Sequence, residues 1–130
     1  MAEQEIQRRT FEFARRVIRV GRALDQDRIT RLIASQLVRS GTSIGANVEE
    51  AQGAQSKPDF ISKMCIARKE AREALYWLRL IEAEGLLPQE KLEGLLQESR
   101  EITRVVSAIA ASAIKTRHLD VPKRPQKPKG

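Results

Sequence analysis

The chain has little of what most enzymes and secreted proteins depend on. Its 130 residues include one cysteine, Cys65, and one histidine, His118. A lone thiol cannot close an internal disulfide, and one thiol with one imidazole cannot supply a tetrahedral zinc site. The Glu-x-x-His pairs of helical di-metal centres are missing too. Cys65 has no plausible histidine partner to activate it and reads as a small core or flank residue. Aromatic residues make up 4% of the chain, so a core must come from Leu, Ile, Val and Ala. The alternating Val-, Thr- and Tyr-rich runs of a sheet sandwich are absent. No apolar run approaches the roughly 18 residues that span a bilayer. The opening MAEQEIQRR has no apolar signal core behind its charges. GTSIGANVEE has two glycines, but it lacks the lysine of a phosphate-binding loop and no strand precedes it. A cytoplasmic protein with no catalytic residues, no cofactor, no metal and no membrane partner is the expectation.

What is present fits one soluble helical domain. Hydrophobic residues are 41% and charged residues 32% of the sequence, and 130 residues are enough to bury a real core. Residues 4–24 read as a first helix, with Ile6, Phe13, Val17, Val20 and Leu24 at helical spacing and Thr10 and Ala14 on the same face. Asp25 or Asp27 can cap a second helix that continues to about Gly53, its stripe running through Ile29, Leu32, Ile33, Leu37, Ile44, Val48 and Ala51. Ser56 to Asp59 resembles a capping box, with Pro58 tolerated in the first turn of a third helix that ends near Glu84. Gly85 is placed as its left-handed stop, and Pro88 opens a fourth helix to about Lys115 along Leu92, Leu95, Leu96, Ser99, Ile102, Val106, Ile109 and Ala113. Four amphipathic helices on short links predict an antiparallel up-down-up-down four-helix bundle over residues 1–117. VPKRPQKPKG is too polar and proline-rich to offset its ordering entropy, so 118–130 is expected to be a disordered basic tail.

Charge and small residues mark three places where function could reside. The net charge is +7, of which residues 116–130 hold +4 and residues 1–24 hold +3. Arg8, Arg15, Arg19 and Arg22 form a stripe opposite the apolar face of the first helix. With Lys123, Arg124, Lys127 and Lys129 they are the candidate phosphate contacts; charge that serves solubility alone is the competing explanation. In the second helix Arg39, Ser40, Ser43, Asn47 and Glu50 form a polar seam. There Gly41 and Gly45 each cost about 1 kcal/mol relative to Ala and so call for a close neighbour. Asn47 must find partners or carry a desolvation cost of about 1–3 kcal/mol. A small-molecule site at this seam would need a cavity beside it. The third helix carries a second line, Ile66, Glu70, Glu73, Trp77 and Leu80, away from its main face of Phe60, Met64, Ala67, Ala71, Leu75 and Leu78. With Phe11 and Ile18 of the first helix, that line is the candidate oligomer interface. Glu49, Glu50, Glu70 and Glu73 are expected to pair with Arg or Lys of neighbouring helices.

The segments RSGTSIGANVEEAQ and DFISKMCIARKEAREALYWLRLIEAEGLL resemble the four-helix bundle family of 23S rRNA-intervening sequence proteins, over about residues 8–115. The family's second-helix pattern maps onto Arg39, Ser40, Ser43, Ile44, Asn47 and Glu50, and its third-helix pattern onto Phe60, Ala67, Lys69, Glu70, Glu73, Tyr76, Trp77 and Leu78. Ala51 departs from the glycine that many members carry after the glutamate. The resemblance implies a left-handed bundle that assembles as a ring-like homopentamer, without enzymatic activity. The family is also similar to accessory proteins of diversity-generating retroelements, which form basic pentameric barrels. That similarity implies RNA or DNA as a partner, and a reverse transcriptase or another protein besides.

Overall fold

The computed structural model describes residues 2–120, with side chains over 5–117. It contains four helices, α1 (Ala2–Ala23), α2 (Arg28–Gln52), α3 (Lys57–Ala83) and α4 (Gln89–Asp120), and no strand occurs among the described residues. The links over 24–27, 53–56 and 84–88 are short enough to force antiparallel neighbours. α1 packs on α2, α2 on α3, α3 on α4, and α4 returns to α1 along the thinnest of the four seams. The expected four-helix bundle is the fold.

Local chemistry sets where each helix starts and stops. Asp27 caps α2: its carboxylate accepts from the Thr30 N–H at 2.9 Å and the Thr30 hydroxyl at 3.1 Å. These bonds hold the Asp27 carboxyl below its ordinary range. Asp25, the other candidate, pairs with Arg31 instead, at 3.5 Å. Ser56 caps α3 by accepting from the Asp59 N–H at 3.2 Å, with Pro58 in the first turn where a missing N–H costs nothing. At the far end Gly85 takes φ +62°. Its N–H donates to Glu82 O and that of Leu86 to Ile81 O, both at 3.1 Å, the bond pair of a Schellman stop. α4 passes its expected end near Lys115 and runs to Asp120, so residues 118–120 continue the helix and are not part of the tail. No helix breaker precedes Pro122, so nothing in the sequence stops it earlier. Residues 121–130, with Lys123, Arg124, Lys127 and Lys129, lie outside the described residues.

The core holds Phe13 and Ile6 from α1, Leu24 from the link that follows it, Leu37 and Ile44 from α2, Met64, Leu78 and Ile81 from α3, and the α4 stripe from Leu92 to Val106. Two large side chains expected in it face outward. Ile29 and Leu32 are 65% and 57% exposed. The buried register of α2 runs through the smaller residues Thr30, Ala34 and Gly41 instead, and that turns the two large side chains outward.

Small residues also decide how α1 meets α2. A Cβ at Gly41 would lie 2.8 Å from Val17 Cγ1, and one at Gly45 3.3 Å from the backbone oxygen of Thr10. From the other side, a Cβ at Gly21 would lie 2.6 Å from Val38 Cγ2. Each helix therefore sets a glycine beneath a side chain or the backbone of the other. Gly41→Ala gains about 1 kcal/mol of helix propensity but collides with a β-branched side chain, and such overpacking costs about 1–3 kcal/mol. We expect urea unfolding to show a net loss for Gly41→Ala, partly recovered when Val17→Ala is added. Additive effects of the two changes would contradict this contact.

Candidate functional site

The α1 arginines differ in what holds them. Arg8, Arg15, Arg19 and Arg22 are all exposed. Arg15 pairs with Glu12 at 3.1 Å, an i,i+3 contact between two half-exposed side chains that is worth little. Arg8, Arg19 and Arg22 form no ion pair with any described residue. Arg9 is the α1 arginine used structurally, reaching Glu98 of α4 at 2.7 Å across the thin seam. Glu98 accepts its hydrogen bonds and holds the Arg9 guanidinium above its ordinary pKa.

The polar seam of α2 closes upon itself. Ser40 donates to Gln36 O at 2.9 Å, Ser43 to Arg39 O at 2.7 Å, and the Asn47 amide to Ser43 O at 2.8 Å. Each of these three side chains thus bonds back to its own helix, which supplies the partner Asn47 needs. The charged ends of the seam reach across to α3. Arg39 Nη1 lies 3.1 Å from Glu70, its other amino group bonds Glu73, and Glu50 holds Lys63 at 3.0 Å. Glu70 and Glu73, placed at the oligomer interface from sequence, are therefore occupied within the chain, Glu70 buried and Glu73 half-buried. Arg39 holds the Glu73 carboxyl below its ordinary range, with a smaller contribution from the nearby Trp77 indole. The Trp77 N–H is buried without reaching hydrogen-bond geometry to any partner.

The other expected interface residues fall on two faces. Phe11 and Ile18 are 63% and 38% exposed and line grooves between α1 and α2. Ile66 is exposed on α3, while Trp77 packs partly against the core and Leu80 is half-buried. α2 stands between the two groups, because α1 and α3 are not neighbouring helices in the bundle.

Clefts open between neighbouring helices among the described residues, and three of them bear on these side chains. One of about 490 Å³ lies between α1 and α2 beside Ile18, Arg22 and the Asp25–Arg31 pair. A smaller one of about 160 Å³, beside Phe11 and Glu49, follows the same pair of helices. The third, about 330 Å³, lies between α1 and the start of α4, with Arg16, Arg19 and Lys91 around Val20, Leu87 and Leu95. None of the three is lined by Ser40, Ser43 or Asn47, so the seam offers a small molecule no room in any of them. Arg16 and Lys91 escaped the sequence reading. Arg16 stands three residues before Arg19, but its partner across the cleft is known only once α1 and α4 are neighbours.

Among the described residues no three His, Cys, Asp or Glu side chains cluster so as to hold a metal ion. Cys65 is half-buried, with Arg68 at 3.9 Å from its sulfur. No described helix is long and apolar enough to cross a membrane.

Comparison with known proteins points to one family. Residues 2–108 match the family model described as 23S rRNA-intervening sequence protein. A crystal structure of a protein of unknown function from the S23 ribosomal protein family of Bacteroides thetaiotaomicron VPI-5482 superposes with a TM-score of 0.79 at 37% identity, covering 85% of this chain and 99% of that one. No curated protein matches.

The Arg39 cluster sets a pH dependence. The Glu73 pKa is lower in the folded than in the unfolded chain, so its stabilising effect is full above the unfolded value and vanishes as pH falls through the folded one. Solvent screens the half-exposed Arg39, and Glu73→Gln should cost about 1 kcal/mol or less at pH 7. Urea unfolding should show that deficit at neutral pH and its disappearance in acid, below the ordinary carboxylate pKa. A deficit that persists unchanged in acid would assign the effect to packing.

Proposed function

The chain belongs to the 23S rRNA-intervening sequence protein family, and on that footing we propose that it is a non-enzymatic, homo-oligomeric cytoplasmic scaffold that binds nucleic acid, RNA foremost. The observation that carries this reading is the outer side of α1, where Arg8, Arg19 and Arg22 stand exposed without a carboxylate partner. Cations that stabilise nothing within the bundle are available to phosphates, and contact with phosphates releases counterions. The +4 carried by residues 116–130 adds to the same attraction. Assembly into a pentamer, as the resemblance implies, would repeat each weak contact in one particle and raise avidity. No aromatic platform accompanies the arginines, so binding is expected to be weakly sequence-specific.

A second reading, a scaffold for a protein partner such as a reverse transcriptase, draws on the exposed apolar side chains Ile29, Leu32, Ile66 and Tyr76. The same side chains serve self-association. A partner retained after complete nuclease digestion would favour this second reading.

Two measurements test the proposal. Titration with labelled RNA at several salt concentrations should show affinity falling steeply as salt rises. The triple variant Arg8→Gln/Arg19→Gln/Arg22→Gln should reduce the slope of log affinity against log salt by about 2–3; affinity indifferent to salt would end the nucleic-acid reading. Light scattering should find an oligomer that Leu32→Asp or Ile66→Asp weakens without loss of helix signal. Both positions are exposed within one chain, whereas Trp77 also supports its own core. A strict monomer would remove the scaffold.

A further inference from the structure

The cleft between α1 and the start of α4 differs from the other two in its charge. Asp25 lies in the cleft beside Ile18 and Glu49 in the one beside Phe11, but the charged lining of this one is Arg16, Arg19 and Lys91, all positive. None of the three forms an ion pair with a described residue, although α4 carries four glutamates between 90 and 101. Holding three like charges around one hollow is unfavourable unless an anion enters it. Arg16 is half-buried there, against Gly94 of α4. A Cβ at that position would come within 3.3 Å of Arg16 Nη2, so glycine leaves the space in which the guanidinium rests. Lys91 stands in the first turn of α4, where the helix macrodipole adds to the positive potential.

Beneath the charges the surface is aliphatic: Val20 from α1, Leu87 from the preceding link and Leu95 from α4. A free inorganic anion would leave this apolar floor exposed. A phosphodiester, with a sugar and an unpaired base beside it, can satisfy both parts at once. The volume of about 330 Å³ is at the lower end of small-ligand sites, so it suits a single nucleotide. In a duplex the base faces are stacked away, and only the phosphates could reach the rim. We propose that this cleft seats one nucleotide of single-stranded nucleic acid, with Arg16, Arg19 and Lys91 around the phosphate and the aliphatic floor against the adjoining sugar and base. The inference rests on the nucleic-acid reading above and gives it a location and a strand preference.

Fluorescence anisotropy of the full chain with a short labelled oligonucleotide, single-stranded and as a duplex of the same sequence, tests it. Arg16→Gln/Lys91→Gln removes two charges from the cleft. Arg72→Gln/Arg79→Gln removes two exposed, unpaired charges from α3 as a control. Ala23→Glu places a carboxylate in the cleft lining at an exposed position and leaves the core alone. Circular dichroism on every variant reports that the bundle stays folded. The expected result is tighter binding of the single strand than of the duplex by the unmodified protein. That preference should fall about tenfold or more in Arg16→Gln/Lys91→Gln and in Ala23→Glu, and change little in the control. Equal losses in the cleft and control variants would mean that charge alone matters; the cleft assignment would then fall while the broader reading stands. Preference for the duplex would overturn the cleft assignment in the same way. No binding of either probe by the unmodified protein, even at low salt, would sink both.

Discussion

The closeness of α1 to α2 governs much of the remaining arrangement. Gly41 and Gly45 let α2 approach until Val17 and the Thr10 backbone lie where a Cβ would otherwise sit, and Gly21 returns the contact beneath Val38. A helix with two interior glycines is intrinsically weak, by about 1 kcal/mol for each, and Ser40, Thr42, Ser43 and Asn47 add side chains that compete for the backbone. The structure resolves both problems together. The short side chains that permit the approach bond to carbonyls of their own helix, so no polar group of the seam is left unsatisfied. With α1 held at this distance, its apolar stripe turns inward and its arginines outward.

α2 meets α3 by another means. Alanines at 67, 71 and 74 provide a smooth buried surface, and charge fixes the alignment. Arg39 sits between Glu70 and Glu73 midway along the two helices, and Glu50 holds Lys63 nearer the link that joins them. Exposed ion pairs of this kind contribute little to stability. Glu70, however, is 8% exposed, and a buried carboxylate without its cation is costly. The cluster therefore works mainly against sliding, since a shift of one helical turn would strand Glu70.

Much of this was legible in the residues. The Gly85 stop, the Ser56 and Asp27 caps, the need for a neighbour beside Gly41 and Gly45, and the intramolecular pairing of Glu70 and Glu73 all follow from local chemistry. Helical periodicity failed at Ile29 and Leu32, where large apolar side chains appeared to be core and the true register ran through Thr30, Ala34 and Gly41. Size misleads when a helix is packed tightly, because the buried positions then belong to the small residues. Arg16 and Lys91 were invisible for a different reason. Seventy-odd residues separate them, and only the closure of α4 onto α1 brings them together.

The length of α4 has a geometric consequence. Lys91 stands in its first turn and Asp120 ends it, so at a rise of 1.5 Å per residue the two lie about 44 Å apart along one stiff rod. Arg117, exposed in the final turn of this helix, stands at the pole opposite the α1–α4 cleft. Exposed cations therefore stand at both ends of the same stiff helix, Lys91 at one and Arg117 at the other. A flexible polyanion could bridge the two only by lying lengthwise along the bundle.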